Sequence, residues 1–154
     1  MFILKILFIF FICLNISSSY ASNIKNSAVV FMYHKFGVSK YPSTSVTIEQ
    51  FDEHLKEFSK SKYSVESVEF IIDTIINDGD LPENTIGISI DDADKSFYEV
   101  GWPKFKEMGF PVTLFINTST IHENNKNYLN WDQIRELVNE GVSIGAHSHS
   151  HYHM

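Results

Sequence analysis

The chain has 154 residues, 44% of them hydrophobic and 14% aromatic, too apolar for a disordered segment and of a length for one domain or part of a larger one. Twelve Lys plus Arg against nineteen Asp plus Glu leave a formal charge of -7. Such a surface repels phosphate backbones and anionic lipid heads, so nucleic acid is not an expected partner.

Residues 1–21 read as an address. Lys5 supplies a basic start, Ile6 to Leu14 an apolar run, and Ser19-Tyr20-Ala21 small residues at the first and third positions of a signal-peptidase site. Cleavage after Ala21 is expected, giving an exported protein, periplasmic or secreted. Polar residues from Asn15 onward leave too little apolar length for a membrane span. Cys13, the single cysteine, lies inside the run behind bulky Ile12, which speaks against lipidation and leaves the processed chain without a disulfide.

After a leader over residues 22–27, Ala28 to Tyr33 is an apolar run of strand length that ends at His34. Thr47 with Gln50 forms a capping-box pattern ahead of Phe51, Leu55 and Phe58 at helical spacing. Ser67 opens a second helix through Phe70, Ile71, Ile75 and Ile76, closed by Asn77-Asp78-Gly79. Thr85 to Ile90 is the second strand, and the acidic group Asp91-Asp92-Ala93-Asp94 follows it directly. Phe97, Val100, Phe105 and Met108 suggest a helix broken at Gly101 and Pro103, ending at Gly109. Pro111 to Ile116 is a third strand. Asn130 caps a helix through Ile134, Leu137 and Val138, Gly141 terminates it, and Val142 to Ile144 is extended again. Strands alternate with helices and no internal repeat interrupts them, so the expected class is α/β with a parallel sheet.

In such folds functional groups gather where strands end and helices begin. Asp91 and Asp92 follow one strand, His147 another. An adjacent Asp pair is more often a turn or helix cap than a catalytic device, and by itself is a weak signal. Adjacent residues leaving a strand nevertheless point in different directions, so one carboxylate can face a metal while its neighbour faces water. His147 and His151 are four apart, which puts both imidazoles on one side of a helical turn, as a shared cation requires. On a strand, His147, His149, His151 and His153 would instead share one face, as in a metal-scavenging tail. Metal affinity follows under either geometry, and the choice lies between catalysis and sequestration.

Ser89-Ile90-Asp91-Asp92 resembles the Thr-Phe-Asp-Asp motif, and His147-Ser148-His149-Ser150-His151 the His-(Ser/Thr)-x-x-His motif, of the polysaccharide deacetylase family, carbohydrate esterase family 4, with its NodB-homology domain. Met32-Tyr33-His34, Gly109-Phe110-Pro111-Val112-Thr113-Leu114-Phe115 and Leu129-Asn130-Trp131 add to the likeness, which spans residues 28–154. The resemblance implies the first half or more of an irregular (β/α) barrel, truncated at its C-terminus. It implies Asp92, His147 and His151 as metal ligands, Asp91 as general base and Ser148 as a brace of the histidine loop; His34 lines the crevice or is simply structural. A register two residues later, using His149 and His153, also satisfies the pattern, though Gly145 favours the first. Ala93-Asp94 stands where the family frequently has Gly.

Two histidines and a carboxylate suit one divalent ion, Zn²⁺ first and Co²⁺ or another second, with an open position at which water acquires a pKa of about 7. The implied reaction removes N-acetyl groups from an extracytoplasmic polysaccharide, peptidoglycan, chitin-like or poly-N-acetylglucosamine, and releases acetate. The family's base-orienting Arg, oxyanion-donor loop and general-acid His lie downstream of the second motif and have no counterpart here; Arg135, the single Arg, sits upstream in a helix. As 154 residues the chain is therefore expected to fold poorly and turn over slowly. The competing readings are a non-catalytic periplasmic metal- or carbohydrate-binding protein that uses the His-rich segment, and a hydrolase of small cyclic amides or imides.

Overall fold

The structure is a computed structural model that describes residues 26–123 and 125–151; the signal-like segment and His153 lie outside the described residues. Its frame is a parallel sheet. Strands β1 (Ala28–Tyr33), β5 (Thr85–Asp91), β6 (Thr113–Ile116) and β7 (Ser143–Ala146) lie side by side in that order, and β4 (Ser64–Val65) pairs with the first two residues of β5. Two-residue strands β2 (Lys35–Phe36) and β3 (Ser45–Val46) form a small separate pair. Every pairing is parallel, and each long connection carries helix, as a parallel sheet requires.

β5 occupies the centre because its sequence allows it. All seven residues of Thr-Ile-Gly-Ile-Ser-Ile-Asp are buried, the pattern of a strand covered on both faces. At Gly87 a Cβ would lie 2.9 Å from Ile71 Cδ1, so helix α2 (Val68–Ile76) approaches the strand closely there. The edge strand β1 is different: Val29, Val30 and Met32 are exposed while Tyr33 is buried.

Helix α1 (Ile48–Phe58) carries the expected capping box, Thr47 Oγ1 accepting from Gln50 N at 3.2 Å and Gln50 Oε1 from Thr47 N at 3.1 Å. It buries Phe51, Leu55 and Phe58, and Phe51 meets Phe36, Phe105 and Tyr33 edge-to-face. In α2, Ser67 caps as expected, yet Phe70, Ile75 and Ile76 are exposed and Val68 with Ile71 make the buried contacts. The periodicity located the helix, and the fold covers only part of its apolar surface.

The expected broken helix is a five-residue π-turn (Phe97–Gly101) running directly into α3 (Trp102–Glu107). Gly101 sits there because the Phe36 ring lies 2.9–3.1 Å from where a Cβ would be, and Pro103 falls in the first turn, where its missing N–H costs nothing. A short helix α4 (Thr118–His122), which periodicity did not reveal, follows β6. Helix α5 (Trp131–Asn139) starts at Asn130 with a capping box to Gln133 and buries Ile134 and Leu137.

Gly145 bears directly on the histidine segment. It lies opposite Phe115 in the β6–β7 register, and a Cβ there would stand 2.4 Å from two carbons of that ring. Gly145→Ala is expected to force the Phe115 ring aside at a cost of about 1–3 kcal/mol. A thermal melt several degrees lower checks it, and an unchanged melting curve would show that the ring moves freely.

Candidate metal centre

The C-terminal ends of β5, β6 and β7 converge, and three backbone hydrogen bonds tie the loops leaving them. Asp92 N donates to Phe115 O at 3.1 Å, His147 N to Ile116 O at 2.8 Å, and Ser119 N to His149 O at 2.9 Å. The first side chains past these strands therefore meet at one edge.

Asp92 leaves β5 in the left-handed region, with φ 72°, and Ala93 follows at φ 57°. Asp tolerates that conformation through its short polar side chain, whereas a buried Ala is there against its preference. This accounts for glycine where the resemblance expects one: the turn that aims Asp92 needs positive φ at the next position too.

The histidine segment is neither the helical turn nor the strand that spacing left open. β7 stops at Ala146, and a bend follows in which Ser148 and His151 have φ 66° and 52°. Ser148 Oγ accepts from His151 N at 3.0 Å and closes the bend. The bend folds His151 back on His147, their ring centroids 5.0 Å apart. His147 Nε2 lies 3.6 Å and His151 Nε2 3.4 Å from the same atom, Asp92 Oδ1. One ligand atom from each of Asp92, His147 and His151 falls within 4.8 Å of the others.

These residues fit a metal ion. Ligand atoms held tetrahedrally at about 2.0–2.1 Å from an ion stand about 3.3–3.4 Å apart, close to both observed separations from Asp92. The donor set, two neutral imidazole nitrogens and one carboxylate oxygen, suits a borderline cation and leaves a position open.

Asn117 supports Asp92 and was missed by the sequence reading. It is buried at the end of β6, its Nδ2 donates to Asp92 Oδ1 at 3.2 Å, and Thr120 Oγ1 in turn donates to the Asn117 side chain and backbone. The available signal was positional: Asn117 is the first residue after its strand, level with Asp92 and His147 after theirs.

Asp91, the last residue of β5, is buried. Burial raises its carboxyl above the ordinary range; His147, His34 and His151 pull the other way, while Asp92 adds to the rise. His34 is half-buried at the end of β1 and borders a cavity of about 320 Å³ with Tyr33, Ser43, Thr44 and His54. Tyr33 and His54 share a 2.8 Å hydrogen bond there, and burial pushes the phenol well above its usual range.

His149 is turned out of the cluster. Its Nδ1 bonds Thr118 Oγ1 at 2.8 Å, and its side chain is exposed. His149→Ala is therefore expected to bind metal within about threefold of the unmodified chain, whereas His147→Ala loses about 100-fold or more. Isothermal titration with Zn²⁺ checks the pair, and the reverse ranking would move the site to the alternative register.

The comparisons with known proteins agree with this architecture. The chain is 25% identical over 122 residues to YxkH of Bacillus subtilis, named after the polysaccharide deacetylases, covering 79% of this chain and 42% of that protein. It is 23% identical to the poly-beta-1,6-N-acetyl-D-glucosamine N-deacetylase of Staphylococcus aureus, over 84% of this chain and 51% of that one. The structure of the Streptococcus pyogenes deacetylase PplD in complex with acetate shares the fold at TM-score 0.74 and 21% identity, over 83% of this chain and 59% of that one. The chain thus spans about half the length of the relatives it matches, and the fold is the α/β, parallel-sheet part of the deacetylase barrel. The sequence model described as polysaccharide deacetylase matches residues 78–154, half of the chain and the half that contains both motifs, and the chain belongs to that family.

Proposed function

We propose that this chain carries the metal-binding half of the catalytic centre of an exported polysaccharide N-deacetylase, removing acetyl groups from an N-acetylated glycan outside the cytoplasm. The observation that carries the reading is the meeting of His147 Nε2 and His151 Nε2 on Asp92 Oδ1, with Asp91 buried beside them. Family membership and the N-deacetylase named among the relatives support the reaction class, and the signal-like residues 1–21 support export.

Asp92, His147 and His151 would hold a divalent ion, Zn²⁺ by its donor set, which when bound would supply Lewis acidity toward the acetamide carbonyl and acidify water to a pKa of about 7. The remaining work falls to side chains. Asn117 holds Asp92 Oδ1 in place, and Ser148 holds the bend that keeps His151 over His147. Asp91 takes the proton of the attacking water: its burial makes the carboxylate a stronger base than an exposed one. The amide C–N bond breaks, the oxygen of water ends in acetate, and the amine leaves with the proton that Asp91 took from water.

The test is acetate release from oligomers of N-acetylglucosamine by the full chain supplied with Zn²⁺. Turnover lost on chelation and restored by Zn²⁺ is expected. Stoichiometric metal binding through Asp92 with no acetate from any N-acetylated oligomer would replace this reading with that of a binding protein.

A further inference from the structure

Beside the metal centre lies a cleft of about 480 Å³ whose chemistry differs from the rest of the molecule. Three separate segments build it: Lys35 with Lys40 and Tyr41 from β2 and the loop after it, Asp94, Lys95 and Ser96 from the turn after β5, and Lys126 with Tyr128 from the approach to α5. Glu99 completes its charged lining. Four lysines against two carboxylates give this wall a formal +2 on a chain that carries -7.

The charges are not equally free. Asp94 Oδ1 accepts from Ser96 N at 3.0 Å and Ser96 Oγ at 2.6 Å, and Oδ2 faces Lys35 Nζ at 3.9 Å, both side chains only 11–12% exposed. That pair forms the floor and neutralises itself. Lys95 is tied to Glu99 at 3.6 Å in a solvent-exposed pair, which is weak. Lys40 lies over the Tyr41 ring, 5.2 Å from its centroid, and neither Lys40 nor Lys126 makes an ion pair among the described residues. The ammonium groups that face outward are thus available to a ligand.

The cleft adjoins the turn that carries Asp92. Asp94 is two residues from Asp92, and the β-bridge between Asp94 and Tyr128 fastens the two walls together. Tyr128 is half-buried on the cleft wall and held there by that bridge. Tyr41 and Tyr128 offer apolar ring bodies with polar tips, the kind of surface on which the C–H face of a sugar rests.

We propose that this lysine-lined cleft is a subsite for a sugar bearing fixed negative charge, so that the preferred substrate is an anionic N-acetylated glycan rather than a neutral one. The inference rests on the deacetylase reading above and specifies its substrate class. The anionic group is a carboxylate or a phosphodiester, since an ammonium is a point charge that accepts either.

Three tetrasaccharide-sized probes separate the outcomes: neutral β-linked N-acetylglucosamine, N-acetylglucosamine alternating with N-acetylmuramic acid with free carboxylates, and phosphodiester-linked N-acetylglucosamine. At an ionic strength of about 0.01 M, kcat/KM for one anionic probe is expected to exceed the neutral one by about tenfold or more, and to fall toward it at about 0.15 M as the Debye length shrinks from about 30 to about 8 Å. The probe favoured identifies the anionic group. In the Lys40→Glu/Lys126→Glu variant, both sites being exposed, the anionic-to-neutral ratio is expected to drop to about one or below; Lys40→Ala/Lys126→Ala should lie between. Equal turnover of all three probes, or a ratio unmoved by charge reversal, overturns the proposal. If no probe yields acetate, the deacetylase reading fails instead, and calorimetry of probe binding to metal-free chain decides the cleft alone: charge-selective binding lost in the Glu variant supports it, and absence of binding overturns it.

Discussion

Asp92→Asn is expected to weaken metal binding by more than about 100-fold and to abolish turnover, the largest effect of any single substitution in this chain. Loss of a mere supporting residue around a metal commonly costs about 10–100-fold, and in the proposed centre Asp92 is the anionic ligand itself. Both histidines approach one of its oxygens, so the change removes the charge common to the whole cluster. The variant is a clean one. Asn occupies the left-handed region readily, so the φ of 72° at this position is preserved, and the backbone bond from residue 92 to Phe115 O does not depend on the side chain. Competition titration against a chromophoric chelator measures the affinity, and a variant that holds Zn²⁺ as tightly as the parent would remove Asp92 from the site.

Asp91→Asn should do the opposite to metal and nearly the same to catalysis. Metal affinity is expected to stay within about threefold of the parent, while kcat drops by about 10²–10⁴, the range contributed by a positioned base. Burial raises the folded-state pKa of Asp91, so relative to alkaline pH the stability it contributes is fully present below its unfolded-state pKa and is lost as pH rises through the raised folded-state value. At neutral pH its charge thus works against the fold. Replacement by neutral Asn in the metal-free chain is accordingly expected to leave the melting temperature equal or higher. A melting curve beside a metal titration separates loss of a base from loss of structure, and full turnover in this variant would eliminate Asp91 as proton acceptor.

The two aspartates show how adjacency becomes division of labour. Asp91 is the last residue of a strand covered on both faces, so its carboxylate is desolvated. Asp92 is the first residue of a left-handed turn, half-buried and within reach of the next strand's end, where Asn117 and the two histidines find it. One residue of backbone rotation separates their surroundings.

Much of this was legible in the linear order of residues because it is local. The Thr47 and Gln50 capping box, the cap at Asn130, the Thr85 to Ile90 strand and the Asp-Asp and His-x-x-x-His motifs depend on neighbours within a few positions, where chain geometry dictates what can touch. Periodicity placed α2 but marks apolar residues without saying whether anything covers them, and Phe70, Ile75 and Ile76 are exposed. It also passed over α4 and Asn117, since five residues carry too little periodicity for a signal and an isolated Asn is ordinary in a loop.

What the residue order determined by itself was therefore the identity of the candidate metal-binding groups and their place at strand ends. The tertiary structure decided their geometry: a bend closed by Ser148 brings His151 back to His147, His149 turns away to Thr118, and Asn117 arrives from a third strand to hold Asp92. The bend is local, but the contacts of Asp92 with Asn117, His147 and His151 join residues 25 to 59 positions apart, and the parallel stacking of β5, β6 and β7, which sets their C-terminal ends level, brings them together.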